Sequence, residues 1–101
     1  MKLWIDDVRP APEGYIWCKS TNEAIRQIKI ARKNNVHIDL LDIDHDAGEY
    51  VSDGGDYIRV LDYLEFHLIG IPIRIHSMNP VGVENMRRII RKNGWIEIKD
   101  L

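Results

Sequence analysis

An apolar run in the middle of the chain ends in a group of ionisable side chains. Residues 39–48 read DLLDIDHDAG and contain Asp42, Asp44, His45 and Asp46. Carboxylates this close repel one another, so a cation, basic side chains or plain exposure to water must compensate their charge. Oxygen ligands without a neighbouring cysteine favour a hard cation such as Mg²⁺ or Mn²⁺. The alternative, that these are solvated loop aspartates, remains open from the residues alone.

Two further polar groups directly follow short apolar runs. Asp6 and Asp7 come after KLWI, and His76 comes after IPIRI. Runs of this length and composition predict strands. His45 and His76 therefore belong to different predicted strands. Such a pair could flank a phosphate, with one histidine acting as general acid or base.

Groups suited to a phosphate accompany these residues. Asn79-Pro80 has the form of a helix start, with an N-cap followed by proline at the first helical position. The free N–H groups of such a helix end can bind an anion, although simple capping by Asn79 explains the pattern equally well. Arg9 lies just past the first two aspartates and could contact a phosphate or merely pair with those aspartates.

Strand-like and helix-like segments alternate along the chain. The predicted strands are residues 2–5, 15–18, 36–44, 71–77 and 95–101, and helices follow the second, third and fourth of them. The second helix is expected to begin at SDGG, residues 52–55. This alternation predicts an α/β fold with a parallel sheet and helices on both faces, a three-layer sandwich. Ligands bind at the carboxyl ends of such strands, so the three polar groups are expected to form one site.

Composition limits the class of protein. The 101 residues suffice for one domain with one core, residues 1–101. Fourteen Lys+Arg and sixteen Asp+Glu give a net charge of −2, which provides no global field toward nucleic acid or a membrane. The single cysteine, Cys18, allows no internal disulfide and fits a reducing compartment. With no signal peptide or membrane-length apolar run in the sequence, a cytoplasmic protein without membrane contact is expected.

Three stretches, LWIDDVRPAPEGYIW, LDIDHDAG and HSMNPVGVENMRRII, together resemble the cyclic-phosphate processing receiver-like domain family. The resemblance implies a receiver (flavodoxin-like) fold with five parallel strands in the order 2-1-3-4-5. It also implies a role in processing cyclic phosphates on nucleotides or RNA ends. Unlike ordinary receivers, the chain has only a loop between its first two strands and no helix after the last one. The first and last helices are thus expected to be missing, and the uncovered face is a candidate homo-oligomer interface.

The resemblance also implies metal-binding roles. Asp6 and Asp7 resemble the acidic pair that holds Mg²⁺ or Mn²⁺ in receivers. Asp44 resembles the aspartate at the end of the third strand, with His45 and Asp46 as additions typical of the family. We therefore expect Asp6, Asp7, Asp44 and Asp46 as metal ligands, and Asp44 with His45 among the catalytic residues.

Phosphate contacts are implied at the end of the fourth strand. His76, Ser77 and Asn79 resemble the family's loop at this position, and Lys99 stands near the place of the receiver lysine after the fifth strand. The expected phosphate-binding residues are therefore Arg9, Ser77 and Asn79. His76 is expected to be a second catalytic histidine.

The sequence thus predicts a metal-dependent phosphoesterase acting on a cyclic-phosphate nucleotide or an RNA 3′ end. Two other classes stay open: a degenerate receiver that is phosphorylated on Asp44 or binds partner proteins, and a protein that binds a cyclic nucleotide without cleaving it. A more remote third interpretation is a Toprim-like site, because Asp44-x-Asp46-x-Gly48 resembles its acidic motif.

Overall fold

A computed structural model describes residues 1–99 and contains a parallel four-stranded sheet packed against three α-helices. The strands are β1 (Lys2–Ile5), β2 (Tyr15–Cys18), β3 (Leu40–Ile43) and β4 (Ile73–Ile75), in the order β2-β1-β3-β4. The helices are α1 (Thr21–Lys33) after β2, α2 (Ile58–Phe66) after β3, and α3 (Pro80–Asn93) after β4. The predicted α/β class with a parallel sheet is confirmed.

All three helices contribute to one core on one face of the sheet. Alternate strand residues point into this core, and each helix adds buried side chains from its apolar stripe. The fully buried members include Leu3, Ile5, Leu41, Ile43 and Ile73 from strands and Ile28, Leu61 and Met86 from helices. The predicted three-layer sandwich is therefore wrong for residues 1–99, which form two layers.

The direction of the strand connections explains the single helical layer. Crossovers between parallel strands are right-handed in nearly all proteins, so crossovers that run in the same direction across a sheet place their helices on the same face. The connections through α1, α2 and α3 all run toward the β4 edge. Only the step from β1 to β2 runs the other way, and residues 6–14 of this step contain no helix.

The predicted fifth strand is reduced to one bridge, so the five-strand order 2-1-3-4-5 is not confirmed. Ile73 donates its N–H to the carbonyl of Ile96 at 2.9 Å and accepts from the N–H of Ile98 at 2.8 Å. Glu97 lies opposite Ile73 in this parallel bridge. Because β4 has only three residues, it offers little edge for a longer pairing. Asp100 and Leu101, the end of the predicted strand, lie outside the described residues.

The second helix begins later than SDGG predicts. Gly54 and Gly55 have φ angles of 109° and 88°, which an α-helix excludes, and α2 starts only at Ile58. Before it, a 3₁₀ helix spans Gly48–Ser52. In the part of the chain that the structure describes, no helix is long and apolar enough to cross a bilayer.

Residues 6–14 take the place of a helix on the second face of the sheet. The indole N–H of Trp17 donates to the carbonyl of Asp6 at 2.7 Å, and that of Trp4 donates to the carbonyl of Arg9 at 2.8 Å. The Arg9 guanidinium reaches across the sheet edge to the carbonyl of His76 at 2.9 Å. These three bonds hold the loop against the strand ends, and with it the residues that follow β1.

Replacing Trp17 by Phe tests this anchoring. The substitution keeps an aromatic ring but removes the bond to the Asp6 carbonyl, so we expect a loss of about 0.5–1.5 kcal/mol in the free energy of unfolding. Amide hydrogen exchange in residues 6–14 should also become faster than in the wild type. Trp95→Phe is the matched control, because the structure gives this indole no hydrogen bond to residues 1–99. Equal exchange rates in both variants and the wild type would show that the indole does not hold the loop.

Candidate functional site

Three carboxylates meet at the carboxyl edge of the sheet. β1 and β3 are paired with Ile5 opposite Ile43, so the residues that follow these two strands lie side by side. As a result, one oxygen of each of Asp6, Asp7 and Asp44 lies within 4.8 Å of the others. Asp6 is fully buried and Asp44 is 9% exposed. We call these three residues the acidic trio.

The negative charge of the trio is only partly compensated by the protein. Burial raises the pKa of Asp7, and the neighbouring charges of Asp6 and Asp44 raise it further. Within residues 1–99, no basic side chain lies within 4 Å of the carboxylate of Asp7 or of Asp44. Like charges held together without a counter-charge favour a bound cation, and three carboxylates are oxygen ligands of the kind that Mg²⁺ and Mn²⁺ prefer.

Gly48 leaves the space that Asp7 occupies. A Cβ atom at this position would collide with Oδ2 of Asp7, and the φ angle of 54° lies in the left-handed region. The sequence included Gly48 only as the last residue of the Toprim-like motif. The structure adds that its missing side chain lets the 3₁₀ segment approach the trio.

Asp6 has more hydrogen-bond partners than Asp44, which among residues 1–99 accepts only the backbone N–H of His45, at 2.7 Å. Burial raises its pKa, but the N–H groups of Arg9 and Val8 and the ring of His76 outweigh that effect and lower the pKa overall. The two N–H groups bond Oδ1 at 2.9 and 3.0 Å, and Nε2 of His76 bonds Oδ2 at 3.0 Å. The other ring nitrogen of His76, Nδ1, bonds Asp42 at 2.7 Å. Both nitrogens of this predicted catalytic histidine thus face carboxylates rather than open space.

His45 forms a second, separate group. Its Nδ1 lies 2.8 Å from Oδ1 of Asp46, and this bond lowers the pKa of the Asp46 carboxyl. Ligand atoms of His45, Asp46 and Asp56 lie within 4.8 Å of one another. The structure therefore groups Asp46, an expected metal ligand, with His45 rather than with the acidic trio. The His45 ring rests on the first turn of α3, where a Cβ at Gly82 would collide with it.

The expected phosphate-binding residues border both groups. Asn79 caps α3 through a bond from the N–H of Gly82 to its Oδ1 at 3.0 Å, and its Nδ2 donates to Asp46 at 3.3 Å. Ser77 accepts from the N–H of Asn79 at 3.2 Å. The Arg9 side chain is 45% exposed and lies 3.6 Å from Asp6. Asn79 is thus committed to the cap and to Asp46, whereas Arg9 keeps an exposed guanidinium beside the trio.

The sequence assigned no role to two acidic residues that the structure places at the site. Asp42 belongs to the ionisable group of residues 39–48 but lies within β3, and an aspartate inside so apolar a run was the signal that could have singled it out. Asp56 accepts the N–H of Ala47 at 3.0 Å. The sequence around Asp56 was interpreted as helix, so its contact with the loop after β3 was not anticipated. Lys99, near the place of the receiver lysine, is exposed at the end of the described chain.

Comparison with known proteins supplies the family. The model of the cyclic-phosphate processing receiver domain matches residues 1–92. The chain belongs to this family. No curated protein and no solved structure matches it. The matched region includes the acidic trio, the His45–Asp46 pair and His76, so every group of the site lies within the family's domain.

Alanine in place of Gly48 tests whether the trio binds a cation. The new Cβ would displace the Asp7 carboxylate, so we expect Mn²⁺ affinity to fall about tenfold or more, as measured by calorimetric titration. Gly94→Ala is the matched control, because Gly94 has a similar φ of 66° but open space around a new Cβ. Both variants should lose about 1–2 kcal/mol of stability from left-handed strain. Wild-type Mn²⁺ affinity in Gly48→Ala would contradict binding by Asp7.

Proposed function

We propose that this protein is a metal-dependent phosphoesterase that opens a cyclic phosphate on a nucleotide or an RNA 3′ end. The observation that carries the proposal is the pairing of two chemically different groups at one sheet edge. The acidic trio suits a divalent cation, and the His45–Asp46 pair suits proton transfer. Membership of the cyclic-phosphate processing receiver family supports the substrate class.

The residues of the trio fit a divalent cation. Asp7 and Asp44 have no basic partner within 4 Å in residues 1–99, and the pKa of Asp7 is raised by burial and by its like-charged neighbours. Asp6, Asp7 and Asp44 would hold Mg²⁺ or Mn²⁺. When bound, such an ion polarises a phosphoryl oxygen and lowers the pKa of a bound water.

His45 is the proposed acid–base residue. Asp46 engages Nδ1 at 2.8 Å, and the structure gives Nε2 no hydrogen-bond partner among residues 1–99. A carboxylate on one nitrogen fixes the tautomer and orientation of a histidine, which leaves the other nitrogen to exchange a proton. During hydrolysis, Nε2 would accept a proton from water as the water oxygen bonds to phosphorus. It would then return that proton to the ribose oxygen released from phosphorus.

Arg9 is the proposed phosphate contact. Its guanidinium uses one nitrogen on the carbonyl of His76 at 2.9 Å, and the side chain remains 45% exposed beside Asp6. A planar guanidinium with several donors suits phosphate oxygens. Asn79 acts indirectly, because its Nδ2 donates to Asp46 and helps to orient the carboxylate that engages His45.

A screen of cyclic phosphates tests this function. Oligonucleotides ending in a 2′,3′-cyclic phosphate and small cyclic nucleotides would be incubated with the protein and Mn²⁺ or Mg²⁺, and products identified by mass. We expect one substrate to gain one water, and a chelator to abolish the reaction. His45→Gln should lower the rate about 100-fold or more, because general acid–base catalysis contributes this much. Asp44→Asn should also remove activity.

Asp62→Asn is the control for these variants. Asp62 is an exposed residue of α2 with no hydrogen bond or ion pair to residues 1–99, so this variant should keep the wild-type rate. A wild-type rate in His45→Gln or Asp44→Asn, with the fold intact, would contradict the assigned roles. Tight binding of a cyclic nucleotide without product would favour a binding protein. A metal-dependent change at Asp44 with acetyl phosphate or beryllofluoride, and no hydrolysis, would favour a phosphorylated receiver.

A further inference from the structure

Asp42 is a buried carboxylate outside the acidic trio. It lies in the centre of β3 and is 1% exposed, on the sheet face that bears no helix. Its neighbours in register are Trp4 of β1 and Arg74 of β4. Burying a charge is costly unless it is paired and hydrogen-bonded. The partners that Asp42 contacts therefore indicate which interactions stabilise its buried charge.

Asp42 has two different kinds of partner. Arg74 donates from one nitrogen to both carboxylate oxygens at 3.3 Å, and the Tyr15 hydroxyl lies 3.4 Å from Oδ2. These long bonds compensate the charge. The short bond, at 2.7 Å, joins Oδ1 to Nδ1 of His76. The closest contact of Asp42 is thus with a residue at the edge of the site.

His76 is fixed in place by three contacts. Its Nδ1 bonds Asp42, and its Nε2 bonds Oδ2 of Asp6 at 3.0 Å. The Trp4 ring stacks on the imidazole with centroids 3.8 Å apart and planes 4° from parallel. The stack sets the ring plane, and the two carboxylates prevent rotation within that plane. His76 can therefore neither turn toward a substrate nor bind a metal without breaking one of these bonds.

The bond from His76 completes the fixing of Asp6. Oδ1 of Asp6 already accepts the N–H groups of Val8 and Arg9, so the bond to Oδ2 leaves the carboxylate no free rotation. The chain Asp42–His76–Asp6 thus ends on a trio carboxylate.

We propose that Asp42 is a positioning residue that acts through His76 to hold the Asp6 carboxylate in place for a divalent cation. The proposal rests on the proposed function, because it takes the trio as the metal site. It assigns His76 a positioning role in place of the acid–base role that the sequence suggested. Partners that orient metal ligands typically contribute 10- to 100-fold to metal affinity.

Mn²⁺ titration of the full chain tests the proposal. Asp42→Asn should raise the Kd for Mn²⁺ about 10- to 100-fold, since an amide accepts a weaker bond from Nδ1 than a carboxylate does. Arg74→Gln is the matched control: it breaks the same ion pair but leaves the Asp42–His76 bond. This variant should lower the free energy of unfolding but keep the Kd for Mn²⁺ within about threefold of the wild-type value. A threefold change corresponds to about 0.65 kcal/mol in binding free energy. Equal affinity in Asp42→Asn and the wild type would overturn the proposal.

Crystals of the metal-free proteins separate this proposal from the proposed function. In the wild type, the His76 ring should bond both Asp42 and Asp6, and the Asp6 carboxylate should occupy one rotamer. In Asp42→Asn the Asp6 carboxylate should populate a second rotamer, whereas in Arg74→Gln it should keep one. If the wild type binds no Mn²⁺, the proposed function fails and these rotamers alone decide the positioning role. A wild-type His76 ring that bonds only one of the two aspartates would overturn the proposal even if Asp42→Asn does not fold.

Discussion

The imidazole of His76, held between two buried carboxylates, is the interaction on which the site depends. It joins Asp42 inside β3 to Asp6 after β1, at 2.7 and 3.0 Å. Backbone N–H groups and Arg74 compensate part of the charge of these two aspartates, and the His76 ring supplies the bond that joins them. Removing one partner of a buried carboxylate is costly in a small domain. The bond partners come from three strands, so the sheet must be fully paired before the site exists. Stability of the sheet and order in the site are therefore coupled.

The chain has a loop where receivers have their first helix, and this loop takes part in ordering the site. A helix after β1 would cover the second face of the sheet, whereas here residues 6–14 lie there as a loop. Trp4 and Trp17 hold the loop through its carbonyls, and Trp4 also stacks on His76. The same indole thus fixes both the loop that carries Asp7 and Arg9 and the ring that bonds Asp6. Two tryptophan side chains thus hold the segment after β1 in place, although it contains no helix.

The acidic trio could be predicted from the sequence, but its partners could not. Asp6, Asp7 and Asp44 follow strands, and parallel neighbouring strands must bring their carboxyl ends together. The contact between Asp42 and His76 joins residues 34 positions apart, one in β3 and one directly after its paired strand β4, so it comes from the assembled sheet and not from a local sequence pattern. The start of α2 was misplaced because Gly54 and Gly55 have positive φ angles, in a loop that contacts the distant start of α1 through the bond from Thr21 to the Gly55 carbonyl. The three-layer prediction failed because alternation of strands and helices does not show which face each helix takes.

A crystal grown with Mn²⁺ and measured for anomalous scattering shows directly which carboxylates bind the cation. Among residues 1–99, two groups of ligand atoms are available at this edge, one at Asp6, Asp7 and Asp44 and the other at His45, Asp46 and Asp56. We expect an anomalous peak bound by the first group, with the His76 ring unmoved between its two aspartates. A peak at the second group, or an ion bound directly by His76, would contradict this expectation.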